Sequence, residues 1–392
     1  MIMVNLSKRR LLKQGVAGLG AYGVGALWSN VLIGAVRDKE ISRLQSADDN
    51  GVRLPRGFSS RVIARSSVPV VSGQDYLWHA APDGGACFVS TDPANKGGWI
   101  YVSNSEMRSS GGAGAIVFDM QGKVIDAYSI LEGTSRNCAG GATPWGSWLS
   151  CEEINSGRVW ECYPDGKTQA VVRPALGVFN HEAVAVDVVR NHLYLTEDKV
   201  DGCLYRFTAD AKTVDGFPDL SAGLLEVAVK TSIQDELSWK EVSDSLAEKK
   251  ETRYQVSGAK TFNGGEGIVY FDGQIFFTSK GDNRVWRYNA VTRVLDIVYD
   301  VDDSLTPILT GVDNITVSQS GELYVAEDGG DLQIVVIDKQ GDLYPIAQLE
   351  GHGSSEVTGI AFSPDGKRLY FSSQRGEFGQ SEDGVTFEIS GF

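Results

Sequence analysis

A short phrase of alternating character recurs along the chain. Aliphatic and aromatic residues run into a Ser, Thr or Ala, and a polar residue follows. It reads IYVSN at 100–104, SWLSC at 147–151, LYLTE at 193–197, IFFTS at 275–279, LYVAE at 323–327 and LYFSS at 369–373. The second positions are Tyr101, Trp148, Tyr194, Phe276, Tyr324 and Tyr370, separated by 47, 46, 82, 48 and 46 residues. A near-constant step of this size marks a stacked array of one supersecondary unit. Each copy is short, β-branched and aromatic, which predicts a strand. Turn signals sit just upstream, as in FDGQ (271–274), QSGE (319–322) and PDGK (364–367). Further strands follow, as in RVWRYN (284–289) and LQIVVID (332–338). Several strands per unit describe the blade of a β-propeller, so six units predict an all-β, six-bladed propeller. The competing architecture, an all-β solenoid, usually has shorter repeats.

The one long interval calls for an insertion, placed at about 211–260. Within it, SIQDELSWKEVSDSLAEKKETRYQ (232–255) is densely charged and has helical composition. It is expected to be a short helical excursion on the surface between blades. Residues 76–392 are then the propeller and 36–75 an N-terminal extension or linker. Residues 1–35 differ in kind. Lys8, Arg9 and Arg10 head a weakly apolar Gly/Ala-rich stretch that ends near Ala35. That pattern reads as a twin-arginine export signal, and implies the export machinery as a partner and a periplasmic or secreted protein. The stretch is broken by glycines and makes a poor membrane span.

Charge sharpens the picture. The chain carries 36 basic and 51 acidic residues, a net charge of −15. That argues against a nucleic-acid partner and is compatible with a cation-rich site. The acids fall at repeating points. Four consecutive units have a carboxylate at the start of the strand before the repeat phrase: NHEAVAV (Glu182), GGEGIVY (Glu266), GVDNITV (Asp313) and SSEVTGIAF (Glu356). More polar groups cluster at the end of the phrase: Asn104 and Glu106, Glu152 and Glu153, Glu197 and Asp198, Glu327 and Asp328. In an antiparallel hairpin the start of one strand and the end of its partner share a side. All these groups are therefore expected at one mouth of the central channel. So many carboxylates together cannot all ionise uncompensated. Multivalent cations resolve the conflict, and oxygen donors favour a hard ion such as Ca2+.

Five cysteines are scattered at 87, 138, 151, 162 and 203, without C-x-x-C spacing. An odd number leaves at least one unpaired. Cys138 and Cys151 flank NCAGGATPWGSWLSC, and the residues alone leave them as a disulfide, as core thiols or as part of a metal site.

The stretches RNCAGGATPWGSWLSCEE, GVFNHEAVAVD, LYLTED, GVDNITVSQSGELYVAEDG and SSEVTGIAFSPDGKRLYFSSQRG together resemble the alkaline phosphatase PhoX family, in a short form, from about residue 76 onward. The NCAGG-TPWG and LYLTED blocks are specific; SPDGK is common to many propellers. The resemblance implies a six-bladed propeller exported by the twin-arginine route, with Fe3+ and Ca2+ clustered at the site, hydrolysing small-molecule phosphate esters. It implies Cys138 as a thiolate ligand to iron, a role suited to a soft sulfur. Glu182, Glu266 and Glu356 are implied as carboxylate ligands. Asn104, Glu106, Glu152, Glu197, Asp313 and Glu327 are further candidates. The arginine that often precedes the HE phrase in that family is absent here, where Val178 and Phe179 stand. Arg136 and Arg375, beside matched motifs, are the candidates to grip phosphate. His181 is a candidate proton donor, an orienting group or a structural residue. TPWGSW lacks the second glycine of a nucleophile elbow, so no serine nucleophile is expected. The protein is expected to be a monomer. Two other readings stay open: a calcium-dependent propeller lactonase or phosphotriesterase with no cysteine ligand, and a non-catalytic propeller scaffold.

Overall fold

The structure, a computed structural model, describes residues 43–392. The export-signal reading of residues 1–35 lies outside the described residues. Within them, the strands form six antiparallel sheets, each built on a meander whose inner strands run in chain order. The six blades open with Pro82–Val89, Asn137–Ala142, His181–Asp187, Gly265–Phe271, Val312–Val317 and Val357–Phe362. These first strands touch one another around a closed circle, the last against the first, and so line the channel. The repeat phrase forms the second strand of every blade: Trp99–Ser105, Trp148–Glu152, His192–Glu197, Gln274–Ser279, Leu323–Glu327 and Arg368–Ser373.

The composition of the phrase explains how blades join. Its aromatic position packs between blades, where Tyr101 and Tyr370 are fully buried and their rings stack 5.1 Å apart. Buried aromatic polar atoms need partners, and they find them across blade boundaries. Tyr101 donates to the Gly359 carbonyl at 3.0 Å, and Trp148 Nε1 to Asn104 Oδ1 at 2.9 Å. The Ser/Thr position is a staple. Thr196 Oγ1 donates to the Glu266 carbonyl at 2.6 Å and Thr278 Oγ1 to the Asp313 carbonyl at 2.5 Å. Each hydroxyl therefore fixes the backbone of an acid in the next blade.

Two expectations change. The 36–75 segment is not a mere linker in its described part. Val52–Arg53 adds an outermost strand to the fifth blade, and Ser59–Arg65 pairs with Val385–Ser390 as the outer strand of the sixth. The ring is thereby closed by the chain's two distant ends. Glu388 fastens the closure: its carboxylate accepts from Arg61 at 2.9 and 2.7 Å, from Arg368 at 2.6 Å and from Tyr370 at 2.7 Å. The insertion also differs. Leu237–Glu241 is a fifth strand on the third blade, and the helical composition is realised only as a 3-10 turn, Thr252–Tyr254. Leu237 and Trp239 alternate along that edge, and Leu237 is buried. Sheet burial thus overrides local helix propensity.

Candidate metal centre

Five of the six first strands carry a register break after their opening pair, between Pro82 and Gly85, Asn137 and Gly140, His181 and Val184, Gly265 and Ile268, and Val312 and Ile315. A bulge re-aims the side chain it contains. The first of the two residues inside each break is Asp83, Cys138, Glu182, Glu266 and Asp313. In the sixth blade, Glu356 immediately precedes the strand. One ligand-type side chain per blade therefore converges on the channel mouth. A second tier follows from the second strands. The residue just past the end of each is Glu106, Glu153, Asp198, Lys280, Asp328 and Gln374. The first five of these line the same cavity of about 180 Å³ as the first tier, together with Arg375. Gln374 Nε2 reaches in to donate to Asp83 at 2.5 Å and Glu106 at 3.0 Å.

Three triads have carboxylate oxygens within 4.8 Å of one another: Asp83–Glu106–Glu356, Glu182–Glu266–Asp313 and Asp313–Asp328–Glu356. Burial and mutual repulsion raise Asp83, Glu182, Glu266 and Asp313 above the usual carboxylate range, and push Glu356 up to about 8. Burial, with Asp83 and Glu182 nearby, raises the Cys138 thiol as well. Its Sγ lies 3.3 Å from Glu182 Oε1 and 3.7 Å from Asp83 Oδ2. The other Glu182 oxygen is buried with no hydrogen-bond partner. A buried unpaired carboxylate oxygen is costly. Hard oxygen donors, one soft sulfur and an orphaned oxygen aimed into the mouth fit multivalent cations.

The structure brings Cys138, Glu182, Glu266, Asp313, Glu356 and Glu106 together, with Arg375 against Glu356 at 2.7 Å. Arg136 sits at the rim, 3.6 Å from Glu106 and 3.8 Å from Glu153. Five candidates do not line the mouth. Glu152, Glu197 and Glu327 fall one position short, and alternation along the strand turns them the other way. Each instead accepts backbone N–H groups: Glu152 from Ser135 and Arg158, Glu197 from Cys203, Glu327 from Thr310 and Gln333. Asn104 is buried between blades. It donates to the carbonyls of Cys138 at 3.1 Å and Ala139 at 2.8 Å, and so holds the backbone of the thiol loop. His181 points away from Glu182, stacks on Phe179 and donates Nε2–H to the Gly177 carbonyl at 3.0 Å. Burial lowers its pKa to about 3, which keeps it neutral.

Sequence reasoning missed Asp83, Lys280 and Gln374; it expected both members of each acid pair at the mouth, and only the second, Glu153, Asp198 and Asp328, lines it. The signal was the pair itself: in EE and ED, the first acid caps the backbone and the second faces the channel. Cys151 is packed in the core with Leu149, Val159 and Phe179. All five cysteines are free, so Cys138 and Cys151 form no disulfide.

The family model that matches the chain is that of alkaline phosphatase PhoX, over residues 89–376. Among solved structures, the fold is similar to Pseudomonas fluorescens PhoX in complex with vanadate, a transition state analogue. That match has 17% identity and a TM-score of 0.72, covering 89% of this chain and 97% of that one. A gluconolactonase from Xanthomonas campestris matches with 12% identity and a TM-score of 0.51, covering 89% and 97%. A protein of unknown function from Bacteroides thetaiotaomicron matches with 8% identity and a TM-score of 0.51, covering 85% and 76%. The curated proteins contain no match to the sequence.

Proposed function

The chain belongs to the alkaline phosphatase PhoX family, a phosphoester hydrolase family, and from that premise we propose that it hydrolyses small phosphate esters with iron and calcium held in the mouth of its propeller. The observation that carries the reading is the two-tier ring, in which a thiol and nine carboxyl groups share one small cavity with two cationic side chains. Cys138 with Glu182 would hold Fe3+. Asp83, Glu106 and Glu356, and Glu182, Glu266 and Asp313, would hold Ca2+. Such ions supply neutralisation of the charge that builds on phosphoryl oxygens and activation of water.

The protein's own groups do the rest. Arg375 grips phosphate. Its Nη1 is held by Glu356 and by the Gln374 side-chain Oε1 at 2.6 Å, while Nη2 has a 3.8 Å contact to Asp328. That leaves one edge of the fork for an incoming oxygen. Arg136, held loosely between Glu106 and Glu153, offers a second guanidinium at the rim. Among the described residues lining the mouth there is no Ser, Thr or His, which favours water over a side-chain hydroxyl as the attacking species. Asn104 and the staples Thr196 and Thr278 hold the backbone under the ring, which keeps the donors preorganised.

Residues 1–35 would carry the folded, loaded protein through the twin-arginine machinery to the periplasm or the medium, as a monomer. Among the described residues, no helix is long and apolar enough to cross a membrane. The test is metal analysis of protein purified without added metal, alongside p-nitrophenyl phosphate turnover before and after chelation. Iron, calcium and chelator-sensitive turnover are expected. Protein free of both metals would sink the reading.

A further inference from the structure

The second tier departs from acid twice, at the neutral Gln374 and at one cation. Where other blades place Glu106, Glu153, Asp198 and Asp328, the fourth blade places Lys280. Its ammonium lies 3.0 Å from Asp313 Oδ2, 3.0 Å from Asp328 Oδ2 and 3.3 Å from Glu266 Oε1. Its backbone is fixed by donation to the Gly264 carbonyl at 2.8 Å, so the side chain starts from a set point beside the ring.

The three triads are not equivalent in consequence. The first contains Asp83 and the second Glu182, and neither of these carboxylates has an ion-pair partner among the described residues. The third, Asp313–Asp328–Glu356, has none left over. Lys280 reaches Asp313 and Asp328; Arg375 reaches Glu356 at 2.7 Å and Asp328 at 3.8 Å. Lys280 and Arg375 between them therefore already pair every carboxylate of this group, and Lys280 also reaches Glu266 of the second.

We propose that Lys280 is a built-in cation of the ring, occupying with its ammonium the place between Asp313, Asp328 and Glu266 that a divalent ion would otherwise take. The ring then takes fewer ions than its carboxylate triads would allow. An ammonium neutralises one charge where a calcium ion neutralises two. It also stays tethered when free calcium falls, so this arc of the ring remains compensated without metal. The proposal rests on the reading of the mouth as a metal centre.

The test is calcium stoichiometry. Parent protein and Lys280→Met are stripped with chelator, titrated with calcium chloride, and counted by calorimetry and by elemental analysis after desalting. Lys280→Met is expected to bind about one more calcium per chain, and Lys280→Arg the same number as the parent. If the parent binds calcium and Lys280→Met gains none, the proposal fails alone. A higher KM for p-nitrophenyl phosphate at unchanged stoichiometry would mean that Lys280 contacts substrate instead, and also overturns it. If Lys280→Met folds only with calcium, the extra ion is counted in that state and the proposal stands. If it stays unfolded at millimolar calcium, the proposal fails, because the ion should replace the ammonium. If the parent binds no metal, the functional reading itself has failed.

Discussion

The Cys138 thiol and the Glu182 carboxylate come from neighbouring blades and meet at 3.3 Å. Each occupies the bulge that opens its first strand. A sulfur is thereby placed beside a carboxylate whose other oxygen is buried with no hydrogen-bond partner. Cys138→Ser changes little volume but removes the soft donor. Iron content is expected to fall below about a tenth of the parent's, and p-nitrophenyl phosphate turnover at least 100-fold. Calcium content should be largely kept. A variant with full turnover would point to a calcium-only propeller hydrolase.

Glu152 and Glu153 separate structure from chemistry within two residues. Glu152→Gln weakens two backbone caps and should cost about 1–2 kcal/mol, with metal content unchanged. Glu153→Gln should leave the melting temperature nearly as it was but lower metal content and turnover. Thermal melts and elemental analysis of the two variants check this. The reverse assignment would show that the tiers are misplaced.

Metal-free protein should lose stability as pH rises. Burial, then Asp328 and Asp313, push Glu356 from 4.5 up to about 8. Below about pH 4.5 the group is protonated whether folded or unfolded. Between those values the folded state keeps a proton that the unfolded state releases, so each pH unit costs up to about 1.4 kcal/mol. That is about 2 °C in melting temperature for a domain of this size. The other raised ring acids act in the same direction. The chelated protein should melt lower at pH 8 than at pH 5, and calcium should remove most of the difference. Equal melting temperatures in the two buffers would contradict the buried, uncompensated ring.

Glu388→Ala should destabilise without touching the mouth. It strands Arg61, Arg368 and the buried Tyr370 hydroxyl at the seam between the chain's ends. Breaking a buried ion pair on one side costs about 3 kcal/mol. Melting should fall by about 4 °C, with turnover at 25 °C within about twofold of the parent's.

The repeat phrase made six blades legible, because its aromatic and hydroxyl positions do the inter-blade bonding and must recur. The first-tier acids were legible in four blades for the same reason. Asp83 was not, because residues 90–98 lengthen the first hairpin of its blade and move it away from the common spacing. It also sits in PDGG, which reads as a turn. The second tier was misread by a single residue at Glu152, Glu197 and Glu327. Strand alternation decides between two adjacent acids, and the last residue of a strand is what sequence locates least well. Lys280 carried no local signal at all; its meaning comes only from the five counterparts on other blades. The insertion misled because Leu237–Glu241 takes its state from the strand it docks against, not from its own composition.

The seam has a consequence for biogenesis. Ser59–Arg65 is synthesised more than 300 residues before its partner Val385–Ser390, and the sixth first-tier acid, Glu356, precedes that partner strand. A nascent chain therefore exposes an open arc of acids and cannot present a full set of donors. The full donor set comes together only when the last blade has joined the first strands. Closure of the centre is thus a check on the whole polypeptide, since any chain that stops before the last strand lacks its clasp, and one that stops before Glu356 lacks its final ligand as well.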